Sequence, residues 1–211
     1  IKTEYNLNDM AKDGIDVLDH LGVDNAHILG TSMGGMISQI ICAKYPDRVR
    51  SFTLIASTAS VPGPLNGPTK EVRTMMLERS QLENPTMEEV YQRELKWVGL
   101  IGMENKKIDT PEFREETINN YIRVEGVKDG FGYARQLFAI LSSKNRLRKI
   151  RSIKAKTLIV HGKKDPVINV KNSYLMNSLI PNSELIVIDN MRHLIEEEIL
   201  DQFKNKLLEH L

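Results

Sequence analysis

The sequence predicts an α/β fold in which a mostly parallel sheet is covered by helices on both faces. The first observation is that short apolar strands alternate with helical segments at both ends of the chain. The second is that the connections between them are tight, as in β-α-β units. Strands are predicted at AHILG (26–30), RSFTLIAS (50–57), KTLIVHG (156–162) and SELIVID (183–189).

Helical periodicity separates these strands. Residues 8–21 carry apolar side chains at helical spacing, with Asn6 or Asn8 available as the N-cap and Gly22 just beyond the end. Further helices are predicted at MISQIICAKY (36–45), over roughly 167–179, and as one amphipathic closing helix at LIEEEILDQFKNKLLEHL (194–211).

The pattern changes after the second predicted strand. VPGPLNGPTK (61–70) is dense in Pro and Gly, and the residues that follow, up to 149, are polar and helical, with no good strand pattern. About four helices are predicted in this part of the chain. Because the alternation of strands and helices resumes afterwards, we interpret residues 61–149 as an insertion into a core formed by residues 1–60 and 150–211.

Composition limits the class of partner. The 211 residues include 29 Lys and Arg against 28 Asp and Glu, a formal net charge of +1, so no charge excess favours nucleic acid or an anionic membrane. We therefore expect a small-molecule partner. Cys42 is the only cysteine, which excludes an internal disulfide framework and favours a reducing compartment, so a cytoplasmic location is expected.

No apolar run approaches the ~18 residues of a membrane span, and the start of the chain lacks the form of a signal peptide. His20, His27 and His210 show no paired ligand spacing. We expect neither a metal nor a cofactor.

A serine lies between glycines where the first predicted strand gives way to a helix. Gly30 to Gly34 read G-T-S-M-G, which matches the nucleophile-elbow pattern G-x-S-x-G. The pattern needs glycine because a serine on so tight a turn adopts an unfavourable backbone conformation and crowds the residues two before and two after it. This predicts an exposed Ser32 hydroxyl with the Met33 amide facing a developing oxyanion. A simple turn of glycine and serine is the alternative.

A serine nucleophile needs a base, and the base needs an orienting acid. Asp165 follows the strand KTLIVHG, and His193 follows SELIVID. Each residue has a plain alternative, because Asp165 before Pro166 is also a good helix N-cap and a lone loop histidine is often incidental. Together with Ser32 they follow separate parallel strands at one edge of the sheet, in the chain order Ser, Asp, His.

These motifs show a family resemblance. GTSMGG, LIVHGKKDPV and the RH before the closing helix resemble the serine hydrolases of the α/β-hydrolase fold, over nearly the whole chain. The layout is similar to that of lidded carboxylesterases and of the aclacinomycin methylesterase group. The resemblance implies Ser32 as nucleophile, His193 as general base and then acid, Asp165 as its orienting partner, and residues 61–149 as a cap over the pocket.

The chain departs from the family pattern at two places. Asn190, Met191 and Arg192 replace the small residues that usually precede the histidine. The family's first strands and its H-G-type oxyanion loop would lie upstream of a helix like residues 8–21, whereas this sequence begins at Ile1. We therefore expect further N-terminal sequence in the natural protein, or weak activity or poor folding of this chain.

Two functions follow from the sequence. The first is a serine hydrolase that acts on a small ester without a cofactor. The second is a weak or silent ligand-binding protein of the same fold, because a fold does not guarantee its chemistry. Acyl transfer, carbon-carbon bond hydrolysis, lactone or amide hydrolysis and haloperoxidase activity use the same triad and stay open.

Overall fold

The computed structural model describes residues 4–61, 63, 66–79, 85–123 and 131–211. Four strands form one sheet in the order β1-β2-β3-β4, and all neighbouring pairs are parallel. The predicted α/β class with a mostly parallel sheet is therefore confirmed. The strands are β1 (Ala26–Thr31), β2 (Val49–Ile55), β3 (Lys156–Gly162) and β4 (Ser183–Ile188).

Helices connect and cover the strands. The first helix begins with a capping box in which the Asn6 side chain accepts from the Asn8 amide and the Asp9 carboxylate accepts from the Asn6 amide. The helices are α1 (Leu7–His20), α2 (Ser32–Lys44), α3 (Lys70–Arg79), α4 (Met87–Ile101), α5 (Pro111–Arg123), α6 (Phe131–Ser142), α7 (Lys171–Leu179), α8 (Glu197–Leu200) and α9 (Lys204–His210). Short 3₁₀ turns occupy Pro46–Arg48 and Lys149–Ser152.

The apolar core lies on both faces of the sheet. Ile159 of β3 packs in one cluster with Cys42 of α2 and Met176 of α7. Its neighbour Leu158 faces the opposite side, where it joins Phe203 in a second cluster. This alternation along a strand buries both faces and explains why the strand reads as a continuous apolar run.

Two predicted helix starts differ from the structure. The helix predicted from residue 36 begins at Ser32, because the turn after β1 leads directly into the helix. The helix predicted from residue 167 begins at Lys171. In the second case the Asp165 carboxylate accepts hydrogen bonds from the Val167 and Ile168 amides, which holds the preceding residues in a turn.

The single closing helix predicted over 194–211 is wrong. The structure has two short helices, α8 and α9, separated by a turn at residues 201–203. Phe203 is 2% exposed and lies in the core cluster beneath β3 and β4, with a non-helical φ of −132°. The break lets the large Phe203 side chain enter the core. The helical periodicity of the sequence does not reveal this break.

The described residues between β2 and β3 contain four helices, as predicted, and no strand. Polar contacts attach both ends of this segment to the core. The Thr69 amide donates to the Pro166 carbonyl at 2.9 Å. Near the other end, the buried Arg146 guanidinium donates to Gln39 Oε1 of α2 at 3.1 Å and to the Thr58 carbonyl at 2.9 Å.

Among the described residues, no helix combines the length and apolar character needed to cross a bilayer.

Candidate active site

Ser32 lies at the junction between β1 and α2. Its φ is 49°, in the left-handed region that non-glycine residues rarely adopt. A hydrogen bond stabilises the turn: the Ser57 hydroxyl donates to the Ser32 carbonyl at 2.7 Å. Strained backbone of this kind persists only where surrounding contacts hold it, and it is concentrated at functional sites.

The two glycines of the motif have different environments. A Cβ atom placed on Gly30 would lie 2.5 Å from the Gly34 carbonyl oxygen and 2.5 Å from Ser38 Oγ, so only glycine fits there. A Cβ on Gly34 would meet no atom within 4 Å. The expectation that both residues must be glycine to avoid a clash is therefore wrong for Gly34. A Cβ on Gly35 would lie 2.6 Å from Leu54 Cδ1, so glycine at this position allows the helix to approach the sheet closely.

The structure brings Ser32, His193 and Asp165 together. His193 Nδ1 lies 2.8 Å from Asp165 Oδ2, and His193 Nε2 lies 3.1 Å from Ser32 Oγ. Because a carboxylate only accepts, Nδ1 carries the proton of the neutral imidazole and donates to Asp165. Nε2 is then free to accept from the Ser32 hydroxyl. The predicted residues thus form one hydrogen-bonded chain.

The side chain of Asp165 is fully buried, with 0% of its surface exposed. Its Oδ1 accepts from the Val167 amide at 2.8 Å and the Ile168 amide at 2.9 Å. These bonds form a turn, and the N-cap role considered for this residue is wrong, because α7 begins at Lys171 with Val170 as its N-cap. Burial raises the pKa of the carboxyl, but the adjacent imidazoles of His161 and His193 outweigh burial and keep the pKa below its ordinary value. The group is therefore ionised at neutral pH.

His161 also lies against the Asp165 carboxylate. The imidazole is 0% exposed, and its Nε2–H donates to the Ile168 carbonyl at 2.8 Å while lying 3.3 Å from Asp165 Oδ2. With Nε2 protonated, Nδ1 accepts from the Ser173 hydroxyl at 2.6 Å. These contacts agree with a structural role for His161 beside the acid, since it does not contact Ser32.

The Asp165 carboxylate is expected to make stability depend on pH in the acid range. Because its folded pKa lies below the ordinary value of 3.8, the stabilisation is present above pH 3.8 and is lost as pH falls through the folded pKa. Urea unfolding at pH 6 and pH 3 should show a larger fall in unfolding free energy for the wild type than for Asp165→Asn. Asp13→Asn, an exposed position on α1, should behave like the wild type. Equal slopes for Asp165→Asn and the wild type would contradict the shift.

The loop before His193 accommodates its large residues. Met191 is 0% exposed and packs in the cluster beneath β3. Arg192 points the other way and donates to the Gly99 carbonyl at 3.1 Å and the Leu100 carbonyl at 3.0 Å. The bulky residues are therefore compatible with the geometry of the histidine, because one enters the core and the other binds the end of α4.

Gly162 makes room for the same loop. A Cβ on Gly162, the last residue of β3, would collide with the carbonyl oxygens of Met191 and Arg192. The His193 amide is also anchored, since it donates to the Ile101 carbonyl at 2.9 Å. The position of the histidine thus depends on contacts with β3 and with α4.

Met33 lies in the first turn of α2, where backbone amides have no intrahelical acceptor and the helix dipole favours negative charge.

Cys42 is 1% exposed, and burial raises the pKa of its thiol to about 12, so it is inert as a nucleophile. No group of three or more His, Cys, Asp or Glu side chains in the described part of the chain could hold a metal ion.

Ser32 lines a cavity of about 360 Å³. One side is formed by core residues such as Met36 and Val167, and helices α3 and α6 contribute much of the rest. The helix residues that face the cavity are Arg73, Met76 and Leu77 of α3 and Leu137, Ile140 and Leu141 of α6.

The large apolar side chains of residues 61–149 have different environments. Met76 lines the cavity, whereas Trp97 packs against the core around α1 and α2. Phe138 is 39% exposed, and the side chain of Phe131 lies outside the described residues. The sequence analysis did not identify Arg73, Leu137 or Leu141 as residues of a cavity wall. The usable signal was the spacing of three and four positions that places the lining residues of each helix on one face.

Comparisons with known proteins agree with this architecture. The sequence matches the family model described as alpha/beta hydrolase fold over residues 1–198. It is 27% identical over 184 residues to Lipase 1 of Psychrobacter immobilis, covering 84% of this chain and 53% of that protein. The chain therefore spans about half the length of this curated relative.

Solved structures show the same fold. An esterase from Exiguobacterium antarcticum superposes with a TM-score of 0.76 at 22% identity, covering 98% of this chain and 74% of that one. The meta-cleavage product hydrolase CumD from Pseudomonas fluorescens IP01 also has a TM-score of 0.76 and 22% identity, covering 98% and 72% of the two chains. With the family match extending from residue 1 to residue 198 over this parallel sheet, the protein belongs to the α/β-hydrolase fold family.

Proposed function

We propose that the protein is a serine hydrolase that cleaves a small carboxylic ester, or a related acyl bond, through an acyl-enzyme. The observation that carries this proposal is the continuous hydrogen-bonded chain from Ser32 through His193 to the buried Asp165. The likeness to a lipase supports ester chemistry. The small-molecule partner expected from composition is then the ester substrate.

The geometry supports a defined sequence of proton transfers. His193 Nε2 removes the proton from Ser32 Oγ as that oxygen attacks the substrate carbonyl. Asp165 keeps Nδ1 protonated and stabilises the imidazolium that forms. The Met33 amide donates to the oxyanion, and His193 then returns the proton to the departing alcohol. Water, activated by the same imidazole, releases the acid and restores Ser32.

We further propose that residues 61–149 form a cap over the pocket. Two helices of this segment, α3 and α6, supply apolar walls to the cavity that Ser32 also lines. A cap of this kind limits the size of the substrate and shields the reaction from water. This arrangement would resemble the lidded carboxylesterases and the aclacinomycin methylesterase group.

A catalytically weak or silent ligand-binding protein is the second candidate. The cavity and the fold would serve ligand binding equally well. In addition, we assign one oxyanion donor, the Met33 amide, where hydrolases of this mechanism commonly use two. Loss of one such donor typically lowers turnover about 100-fold to 1,000-fold. The two candidates therefore differ in the reactivity expected of Ser32.

Labelling with a fluorophosphonate probe, followed by intact-mass spectrometry, separates the candidates. A hydrolase should form a single covalent adduct within minutes, because the probe reacts with a serine activated by a neighbouring base. Ser32→Ala should form no adduct. No adduct on the wild-type protein, or an adduct that persists in Ser32→Ala, would contradict the assignment of the nucleophile.

A further inference from the structure

Helices α3 and α6 present similar faces to the cavity. Each contributes residues at positions i, i+3 and i+4, which lie on one side of a helix. On α6 these are Leu137, Ile140 and Leu141. On α3 they include Met76 and Leu77, but the first position is an arginine, Arg73. A cation thus occupies a cavity-facing position where apolar side chains are otherwise used.

The placement of Arg73 follows from how α3 is anchored. Val72 beside it is 0% exposed and packs in the core cluster with α1 and α2. The Thr69 amide donates to the Pro166 carbonyl at 2.9 Å, and the Arg73 amide donates to the Thr69 carbonyl at 3.0 Å. The first turn of α3 is therefore attached to the residue that follows Asp165.

Arg73 forms no ion pair with a carboxylate among the described residues. Glu71 on the same helix is bonded to its own first-turn amide and to the Thr69 side chain, and these bonds, with smaller contributions from the charges of Lys70 and Arg73, lower its pKa. Glu78 lines a different depression on the surface. Arg73 is also the sole charged side chain in the described lining of the cavity. A guanidinium stays ionised at all ordinary pH values and pairs with a carboxylate through two parallel hydrogen bonds.

We propose that Arg73 is a specificity-determining residue that binds an anionic group of the substrate. The substrate class is then an ester that also carries one carboxylate, such as the monoester of a dicarboxylic acid. Its apolar portion lies against the α6 side chains. This inference rests on the proposed function, because it assumes that the cavity beside Ser32 holds the substrate. A single guanidinium pairs with a single negative charge. Because Arg73 is exposed, added salt should weaken this interaction.

Two matched substrates test the inference. The carboxylate-bearing p-nitrophenyl hydrogen glutarate is compared with p-nitrophenyl methyl glutarate, which has the same chain but no charge. The ratio of kcat/KM values, anionic over neutral, should fall about tenfold in Arg73→Gln, as expected for a charge-assisted hydrogen bond. Arg73→Lys should retain part of the ratio. The control Lys70→Gln, on the same helix but lining a different depression, should keep the ratio within about twofold of the wild type.

A binding measurement separates this proposal from the hydrolase proposal. In the Ser32→Ala background, monomethyl glutarate should bind about tenfold more weakly when Arg73→Gln is added, as measured by calorimetry at low and high salt. If the wild type hydrolyses neither ester but this difference remains, the hydrolase proposal fails and the anion subsite stands. An unchanged kcat/KM ratio in Arg73→Gln, or equal binding by both Ser32→Ala proteins, would overturn the subsite.

Discussion

Replacing Ser32 with alanine is expected to lower kcat for ester hydrolysis by about a million-fold, the usual cost of removing the nucleophile of a working triad. In the proposed mechanism the Ser32 hydroxyl attacks the substrate carbonyl and gives its proton to His193 Nε2, which lies 3.1 Å away. The fold should be little affected. Alanine keeps the Cβ atom, so the backbone conformation at φ 49° is as strained as before.

Thermal and urea unfolding should place Ser32→Ala within about 1 kcal/mol of the wild type. Initial rates with short p-nitrophenyl esters measure the loss of activity. Ser178→Ala, an exposed serine on α7, is the matched control and should retain full turnover. Residual turnover of even a few per cent in Ser32→Ala would show that another group performs the reaction.

Gly30→Ala is expected to destabilise the protein by about 3 kcal/mol, the upper range for overpacking a close-packed site. The added Cβ would lie 2.5 Å from the Gly34 carbonyl oxygen and 2.6 Å from the carbonyl carbon, and these backbone atoms cannot rotate away. It would also lie 2.5 Å from Ser38 Oγ, which donates to that same oxygen. Relief of the clash requires β1 and α2 to separate, which displaces Ser32.

Gly34→Ala is the matched control for this prediction. A Cβ at Gly34 meets no atom within 4 Å, and the residue lies inside α2, where alanine is the better helix former by about 1 kcal/mol. Urea unfolding should therefore show a loss of stability for Gly30→Ala and a small gain for Gly34→Ala. Fluorophosphonate labelling should slow only in the first variant. Equal loss of stability in both variants would contradict the steric explanation of the turn.

Much of the fold could be predicted from the sequence because its signals are local. The strand at KTLIVHG is found at the residues predicted, since a buried parallel strand is apolar along its whole length. The helix starts near Ser32 and Asp165 were misplaced because a tight turn and a buried carboxylate determine them. The break before α9 depends on the burial of Phe203 against β3 and β4, which is a long-range contact. The expectation of further N-terminal sequence stays a prediction.

The sequence by itself determined the strand order along the chain and the three polar residues, Ser32, Asp165 and His193, that follow separate strands. Only the tertiary structure decided whether these residues meet. Ser32 and His193 are 161 positions apart, and local sequence patterns do not report contacts between residues so far apart in the chain. The structure also distinguished the two motif glycines. Finally, it placed Arg73 in the wall of the cavity, since the direction that a helix face takes depends on how the helix packs against the core.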